Sequence, residues 1–144
     1  MIGGSLLTSP ITIITKNSLQ SCKAAKDFLE VNDIPYVEKN VSNNQLTFEE
    51  VKDLVVRAGG YEEIISSRSK PYKKMQKMMD SEDFTLFQLY EFIQQNPTSI
   101  TYPIIYDDYR FQTGYNEEQL KTFLLREQKI KNYKEIMQRA KDIE

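Results

Sequence analysis

The order of apolar and polar positions predicts a strand, a helix and a second strand at the start of the chain. A short β-branched apolar run at 11–15 predicts a buried strand, and a second strand follows at 36–41. Apolar residues recur between them at helical spacing: Cys22, Ala25, Phe28 and Leu29. We expect Ser18 to cap this helix. This order predicts a βαβ unit with two parallel strands.

The middle of the chain predicts helices only. Thr47 is followed three residues later by Glu50, and Thr85 by Gln88, which is the spacing of a capping box at a helix start. Paired glycines at 59–60 predict the end of the first of these helices. The pattern therefore indicates a helical insertion over residues 45–97.

Strands return after the insertion. The segment 102–107 predicts a strand that begins at a proline, and 110–113 predicts the returning strand of a hairpin. Asn116 is placed to cap a helix that carries Leu120, Phe123 and Leu124.

Together these elements predict one α/β domain that spans residues 1–144. Its core is expected at 11–41 and 98–126, interrupted by the insertion at 45–97, and a C-terminal helix is expected at 127–144.

The last stretch of the chain is basic and amphipathic. Residues 121–144 hold seven basic and four acidic side chains, a net charge of +3. Apolar residues recur there at spacings of three and four: Ile130, Tyr133, Met137 and Ala140. This pattern predicts a helix, either packed on its own domain or bound to a partner.

Composition narrows the classes of function. The chain has 144 residues, a net charge of -2, one cysteine and no histidine. One cysteine excludes an internal disulfide and favours a cytoplasmic location, and the lack of histidine argues against a metal centre. We expect no membrane span and no signal peptide, and we interpret the first ten residues as a lead-in.

A second basic stretch has a pattern that can bind nucleic acid. Four lysines alternate with Tyr72 and three methionines in one short segment: Lys70, Lys73, Lys74 and Lys77. Cations interleaved with aromatic residues can bind DNA, but four lysines in a chain of net charge -2 more often form a solvated helix face. We expect DNA to be contacted only indirectly.

Several separate motifs, in the right order, resemble the ArsC/Spx family. The segments 63–70 (EIISSRSK) and 103–107 (PIIYD) are similar to motifs of the whole family. The segments 114–117 (GYNE) and 88–90 (QLY) are similar to the Spx branch. The likeness covers about residues 11–126 and implies a thioredoxin-like fold with a helical insertion.

The same resemblance implies that the reductase chemistry is missing. Leu19 stands at the first position of the Cys-x-x-Cys pair, and Cys22 matches the second cysteine. Arg68 matches one oxyanion-binding or redox-site arginine, whereas Tyr102 and Tyr115 stand where reductases carry two others. We therefore expect no arsenate reduction and no cofactor. The alternative is an arsenate reductase-like or glutaredoxin-like thiol oxidoreductase that uses Cys22 alone, and a buried, inert Cys22 is the simpler interpretation.

The resemblance also implies a partner. Spx proteins bind the C-terminal domain of the RNA polymerase α subunit, and Gly60 matches the glycine they use. Ser18, Gln20 and Arg68 are expected to join this contact, and Pro103 is expected to follow a cis peptide bond. A scaffold that binds some other protein remains a third possibility.

Overall fold

The computed structural model describes residues 10–143, apart from the side chains of 124–132 and 141–143. The lead-in expected at the N-terminus lies, except for Pro10, outside these residues. Within the described residues, four strands and five α-helices follow in chain order: β1 (Ile11–Thr15), α1 (Gln20–Val31), β2 (Tyr36–Asn40), α2 (Phe48–Ala58), α3 (Tyr72–Met79), α4 (Leu86–Gln95), β3 (Ile104–Tyr106), β4 (Phe111–Thr113) and α5 (Glu117–Ile143). Short 3-10 helices lie at Tyr61–Glu63 and Pro97–Ser99.

The four strands form one mixed sheet in the order β2-β1-β3-β4. β1 and β2 run parallel, with Ile11 opposite Tyr36, which confirms the βαβ unit. β3 is antiparallel to both β1 and β4, so the predicted hairpin is also present. The sheet and its helices confirm the expected α/β class.

The sheet separates two hydrophobic cores because successive strand residues point to opposite faces. Ile13 and Ile105 face α1 and α5, where Leu29 and Phe123 complete one core. The neighbours on the strands, such as Ile14 and Ile104, face the helical insertion instead. Each fully buried aliphatic side chain contributes about 1.5–3 kcal/mol to folding.

Both predicted capping boxes are formed. The Glu50 amide donates to Thr47 Oγ1 at 3.1 Å, and the Thr47 amide donates to Glu50 Oε1 at 2.8 Å. Thr85 and Gln88 make the equivalent pair of bonds at 3.2 and 2.9 Å. The insertion helices therefore begin where their local sequence places them.

The C-terminal helix differs from expectation. α5 runs without a break from Glu117 to Ile143, whereas the sequence suggested a separate extension from 127, and Glu144 lies outside the described residues. Its first turn has the expected cap, since the Gln119 amide donates to Asn116 Oδ1 at 3.1 Å. Every side chain at 133–140 is exposed. The idea that this helix packs on its own domain is thus wrong for residues 133–140, because all of their side chains are exposed.

Candidate functional site

The candidate site is the turn that joins β1 to α1. Ser18 adopts the left-handed conformation, with φ of 66°, and the N-cap position falls on Leu19. The Leu19 side chain makes no capping hydrogen bond. The prediction that Ser18 caps α1 is therefore wrong: the chain uses Ser18 to reverse direction, and the helix begins at Gln20.

Three hydrogen bonds fix the turn to its surroundings. The Asn17 amide donates to Ser42 Oγ at 3.0 Å, and Asn40 Nδ2 donates to Asn17 Oδ1 at 2.8 Å. Ser21 Oγ donates to the carbonyl of Tyr102 at 3.1 Å. The turn is held both to the end of β2 and to the segment before β3.

An open depression of about 360 Å³ lies beside this turn. Its lining combines the turn with the start of α1 and the end of β2: Thr15, Lys16, Asn17, Ser18, Leu19, Gln20, Cys22, Lys23, Lys26, Glu38 and Asn40. The depression is more polar than apolar at its surface, and it has no arginine among its lining residues. It is a shallow polar surface rather than an enclosed substrate pocket.

Acidic partners neutralise two of the three lysines in the depression. Lys26 lies 3.2 Å from Glu38, and Lys23 lies 3.0 Å from Asp27. Thr15 donates a hydrogen bond of 2.5 Å to Glu38, and this bond, with the nearby Lys26, holds the pKa of the Glu38 carboxyl below its usual value. The depression therefore offers little excess positive charge to an oxyanion.

The single thiol points away from solvent. Cys22 is 3% exposed and belongs to the core that includes Ile14, Val41 and Tyr102. Burial raises the pKa of the Cys22 thiol, and hydrogen bonds from the Lys16 backbone and Ser21 offset this only in part. The thiol, and not the reactive thiolate, is thus the form present at neutral pH.

The positions that would complete a reductase site hold other side chains. Leu19, at the position of the first cysteine, is 37% exposed. Tyr102 is buried, and its hydroxyl donates to the Pro97 carbonyl at 2.7 Å; burial raises its pKa. Tyr115 is exposed. No group here could hold an anion by paired charge-assisted bonds in the way that an arginine does.

Arg68 lies apart from the depression. It follows Ser66 and Ser67 in the loop before α3, and its side chain is exposed. Within the described part of the chain, no hydrogen bond or ion pair engages its guanidinium group. Arg68 is therefore available to an external partner, and its role in binding an anion stays a prediction.

The segment that faces the turn carries the expected proline geometry. The peptide bond between Tyr102 and Pro103 is cis, as the resemblance implied. The Gly114 amide donates to the Pro103 carbonyl at 2.8 Å, and the Thr101 amide donates to the Ile64 carbonyl at 2.8 Å. These bonds link the segment before β3 to the end of β4 and to Ile64, which lies at the start of the loop before α3.

Gly60 follows the glycine that ends α2. Gly59 is left-handed, with φ of 80°, and Gly60 has φ of 153°, so both positions favour glycine. A Cβ atom added at Gly60 would meet nothing within 4 Å. Arg57 anchors the same helix end, with a 2.9 Å bond to Asp53 and its guanidinium group 4.6 Å from the Tyr106 ring centre. The end of α2 is thus held in place by Arg57, while the space beside the Gly60 backbone is unoccupied by described atoms.

The sequence profile of the ArsC family matches residues 14–123. The chain belongs to the ArsC family. It is 44% identical over 117 residues to the global transcriptional regulator Spx of Staphylococcus epidermidis, and 43% identical over 117 residues to that of Staphylococcus aureus. Each alignment covers 81% of this chain and 88% of the relative.

Solved structures of the ArsC family have the same fold. The arsenate reductase of Vibrio cholerae superimposes with a TM-score of 0.64 at 17% identity, covering 78% of this chain and 95% of the reductase. An arsenate reductase-related protein of Brucella melitensis gives a TM-score of 0.57 at 16% identity, covering 79% and 93% of the two chains. The expected thioredoxin-like architecture is confirmed.

Sequence reasoning missed part of this candidate site. Lys23, Lys26, Glu38 and Asn40 line the depression, and only the residues of the turn itself were anticipated. A signal was present, because parallel neighbours β1 and β2 end at the same edge of the sheet and polar residues after such strands come together. Glu38 and Asn40 at the end of β2 could have been placed beside the turn on this ground.

Two other classes of site find no support in the described residues. Among the residues whose side chains the structure describes, no three metal-ligating groups cluster together, and no described helix has the length and apolar character needed to span a membrane. The lysines of α3 (Lys73, Lys74 and Lys77) are exposed, while Met75 is buried on the opposite side. That arrangement is typical of a solvated helix face.

Proposed function

We propose that this chain is a cytoplasmic, Spx-type transcriptional regulator that binds the C-terminal domain of the RNA polymerase α subunit. It acts without catalysis and without a Cys-x-x-Cys disulfide switch. Identity of 43–44% to Spx regulators over most of the chain supports the regulatory role. DNA is reached through polymerase, and no cofactor takes part.

The main support for the proposal is the contrast between the exposed turn and the buried thiol. The turn keeps an exposed outer face made by Asn17, Ser18, Leu19 and Gln20, while the thiol beneath it is buried with a raised pKa. A catalyst needs the reverse arrangement, with an accessible thiolate at the helix start. An exposed, hydrogen-bonded turn without an attacking group is suited to docking.

Gly60 and Arg68 supply two further contacts in this proposal. The open space beside the Gly60 backbone allows a partner to approach closely, where any side chain would stand between the two surfaces. Arg68 offers an exposed guanidinium group that has no partner among the described residues. A carboxylate of the partner could accept two parallel hydrogen bonds from it.

The direct test is calorimetry or biolayer interferometry with the purified α C-terminal domain. Gly60→Arg and Gln20→Arg should each weaken binding by about tenfold or more, which corresponds to about 1.4 kcal/mol. Val37→Arg is the control, because Val37 is an exposed apolar residue three positions before the end of β2. Circular dichroism should show the same fold for all three variants, which separates a lost contact from unfolding.

A second experiment tests whether binding is independent of a disulfide switch. Binding should be the same after dithiothreitol and after diamide, because one buried cysteine cannot form an internal disulfide. Failure to bind the α domain at 100 micromolar would contradict the proposed partner and favour a scaffold for another protein. Turnover of arsenate or a glutathione disulfide, lost in Cys22→Ala, would instead establish the enzyme alternative.

A further inference from the structure

The residue at the N-cap of α1 does not cap the helix. Leu19 has the extended backbone of an N-cap residue, with φ of -107° and ψ of 123°, but its side chain has no oxygen that could accept a hydrogen bond. Within the described residues, no hydrogen bond engages the amides of Ser21 and Cys22, which an N-cap side chain would reach. A serine or an aspartate would suit this position better, so the stability of the helix does not account for the leucine.

Leu19 is also the single apolar residue in the segment 16–21, and it is 37% exposed. An isolated apolar side chain on a protein surface is ordinary in itself. Here, however, it lies in an exposed turn between the exposed side chains of Ser18 and Gln20. An apolar centre with a polar rim is the arrangement found in protein–protein contacts.

Most polar groups around Leu19 are already engaged within the chain. Asn17 Oδ1 accepts a hydrogen bond of 2.8 Å and Ser21 Oγ donates one of 3.1 Å, both to other segments of the chain. Lys23 and Lys26 lie 3.0 and 3.2 Å from carboxylates. A partner that replaced these bonds would gain little, because each new bond would be offset by one that is lost. Burial of the leucine side chain breaks no such bond and removes apolar area from water.

We propose that Leu19 is the apolar anchor of the docking turn and determines which partner the turn accepts. This inference rests on the proposed function: the partner is the C-terminal domain of the polymerase α subunit, which receives the leucine side chain in an apolar pocket on its surface. The position of the first cysteine of a Cys-x-x-Cys pair thus carries a binding contact in this chain.

Three variants separate the anchor from the stability of the helix. Leu19→Ser can cap α1 but has no apolar side chain, Leu19→Ala has neither feature, and Leu19→Met keeps a large apolar side chain without a cap. Calorimetry measures the affinity for the purified α C-terminal domain, and urea denaturation measures stability. Val31→Ser is the matched control, because Val31 is 81% exposed at the other end of α1.

Binding should be about tenfold weaker for Leu19→Ser and Leu19→Ala alike, and within about twofold of the native affinity for Leu19→Met and Val31→Ser. The urea midpoint of Leu19→Ser should lie about 0.5 M above that of Leu19→Ala, because only the serine hydroxyl can accept from the open amides. Affinity and stability should therefore change independently. The tenfold loss should persist at high salt, since salt screens charges and not the burial of apolar surface.

Native affinity in Leu19→Ser and Leu19→Ala, alongside weaker binding by Gly60→Arg, would overturn the anchor and leave the proposed function intact. Weaker binding by Leu19→Ala alone would also overturn the anchor, because the affinity would then follow the stability of the helix start. A native chain that does not bind the α domain would contradict the proposed function itself, and the anchor with it.

Discussion

At the scale of single residues, the chemistry of the site depends on which way one sulfur points. Cys22 lies on the inner face of α1, and burial both hides it from solvent and raises its pKa. A raised pKa means less thiolate at neutral pH, and the thiolate is the nucleophile. Leu19, three residues earlier, occupies the exposed place where a thiol would be accessible.

This contrast predicts the reactivity of two thiols. Native Cys22 should react with Ellman's reagent at pH 7 about tenfold or more slowly than the thiol of a Leu19→Cys, Cys22→Ala variant. Both proteins should react equally fast in guanidinium chloride, where burial is lost. If native Cys22 reacts as fast as its unfolded form, then the thiol is accessible and the enzyme alternative regains support.

At the scale of elements, local sequence signals predicted most helix and strand positions. The capping boxes at Thr47 and Thr85 appear as predicted because each is closed by side chains within three residues. The prediction that Ser18 caps α1 was wrong, because Ser18 lies within the tight turn between β1 and α1 and the helix begins after this turn. The depression was only partly predictable, because Glu38 reaches it through pairing of β1 with β2, a contact between residues distant in sequence.

The two capping boxes can be compared directly, because the carboxyl group of Glu50 can ionise whereas the amide group of Gln88 cannot. The Thr47 amide and Lys39 hold the pKa of the Glu50 carboxyl below its usual value, despite partial burial that opposes this shift. A lowered pKa in the folded state means that the stabilisation is fully present above about pH 4.5 and is lost as the pH falls through the folded-state pKa. The capping bonds of Gln88 should not change over this range.

Glu50→Ala should therefore cost about 1 kcal/mol of unfolding free energy at pH 7 and clearly less at pH 3. Gln88→Ala should cost a similar amount at both values. Urea denaturation at the two pH values measures both differences. An equal loss for Glu50→Ala at pH 7 and pH 3 would show that its ionised form adds nothing to the cap.

At the scale of the whole molecule, the chain has the fold of arsenate reductases, but its exposed turn has no accessible cysteine. The sheet, the cis proline and the turn are all in place, and the sequence motifs predicted them because they are local or lie in fixed order along the chain. The exposure of residues 133–140 of α5 was not predicted, because an amphipathic pattern favours a helix packed on its own domain. The chain thus combines this shared fold with two exposed surfaces, the turn and residues 133–140 of α5.

If the turn is a docking surface without a redox switch, then one substitution should make binding of the α domain depend on the redox state of the chain. Leu19→Cys places a thiol three residues before Cys22, and diamide should then remove two hydrogens from the chain, as measured by mass spectrometry. A disulfide between these positions pulls the exposed turn toward the buried helix face, so binding of the α domain should differ severalfold between the oxidised and reduced forms. Gln20→Cys is the matched control, because a thiol only two residues before Cys22 is poorly placed for the bond. The same redox dependence in the unaltered chain, or none in Leu19→Cys after its disulfide has formed, would separate the turn from partner binding.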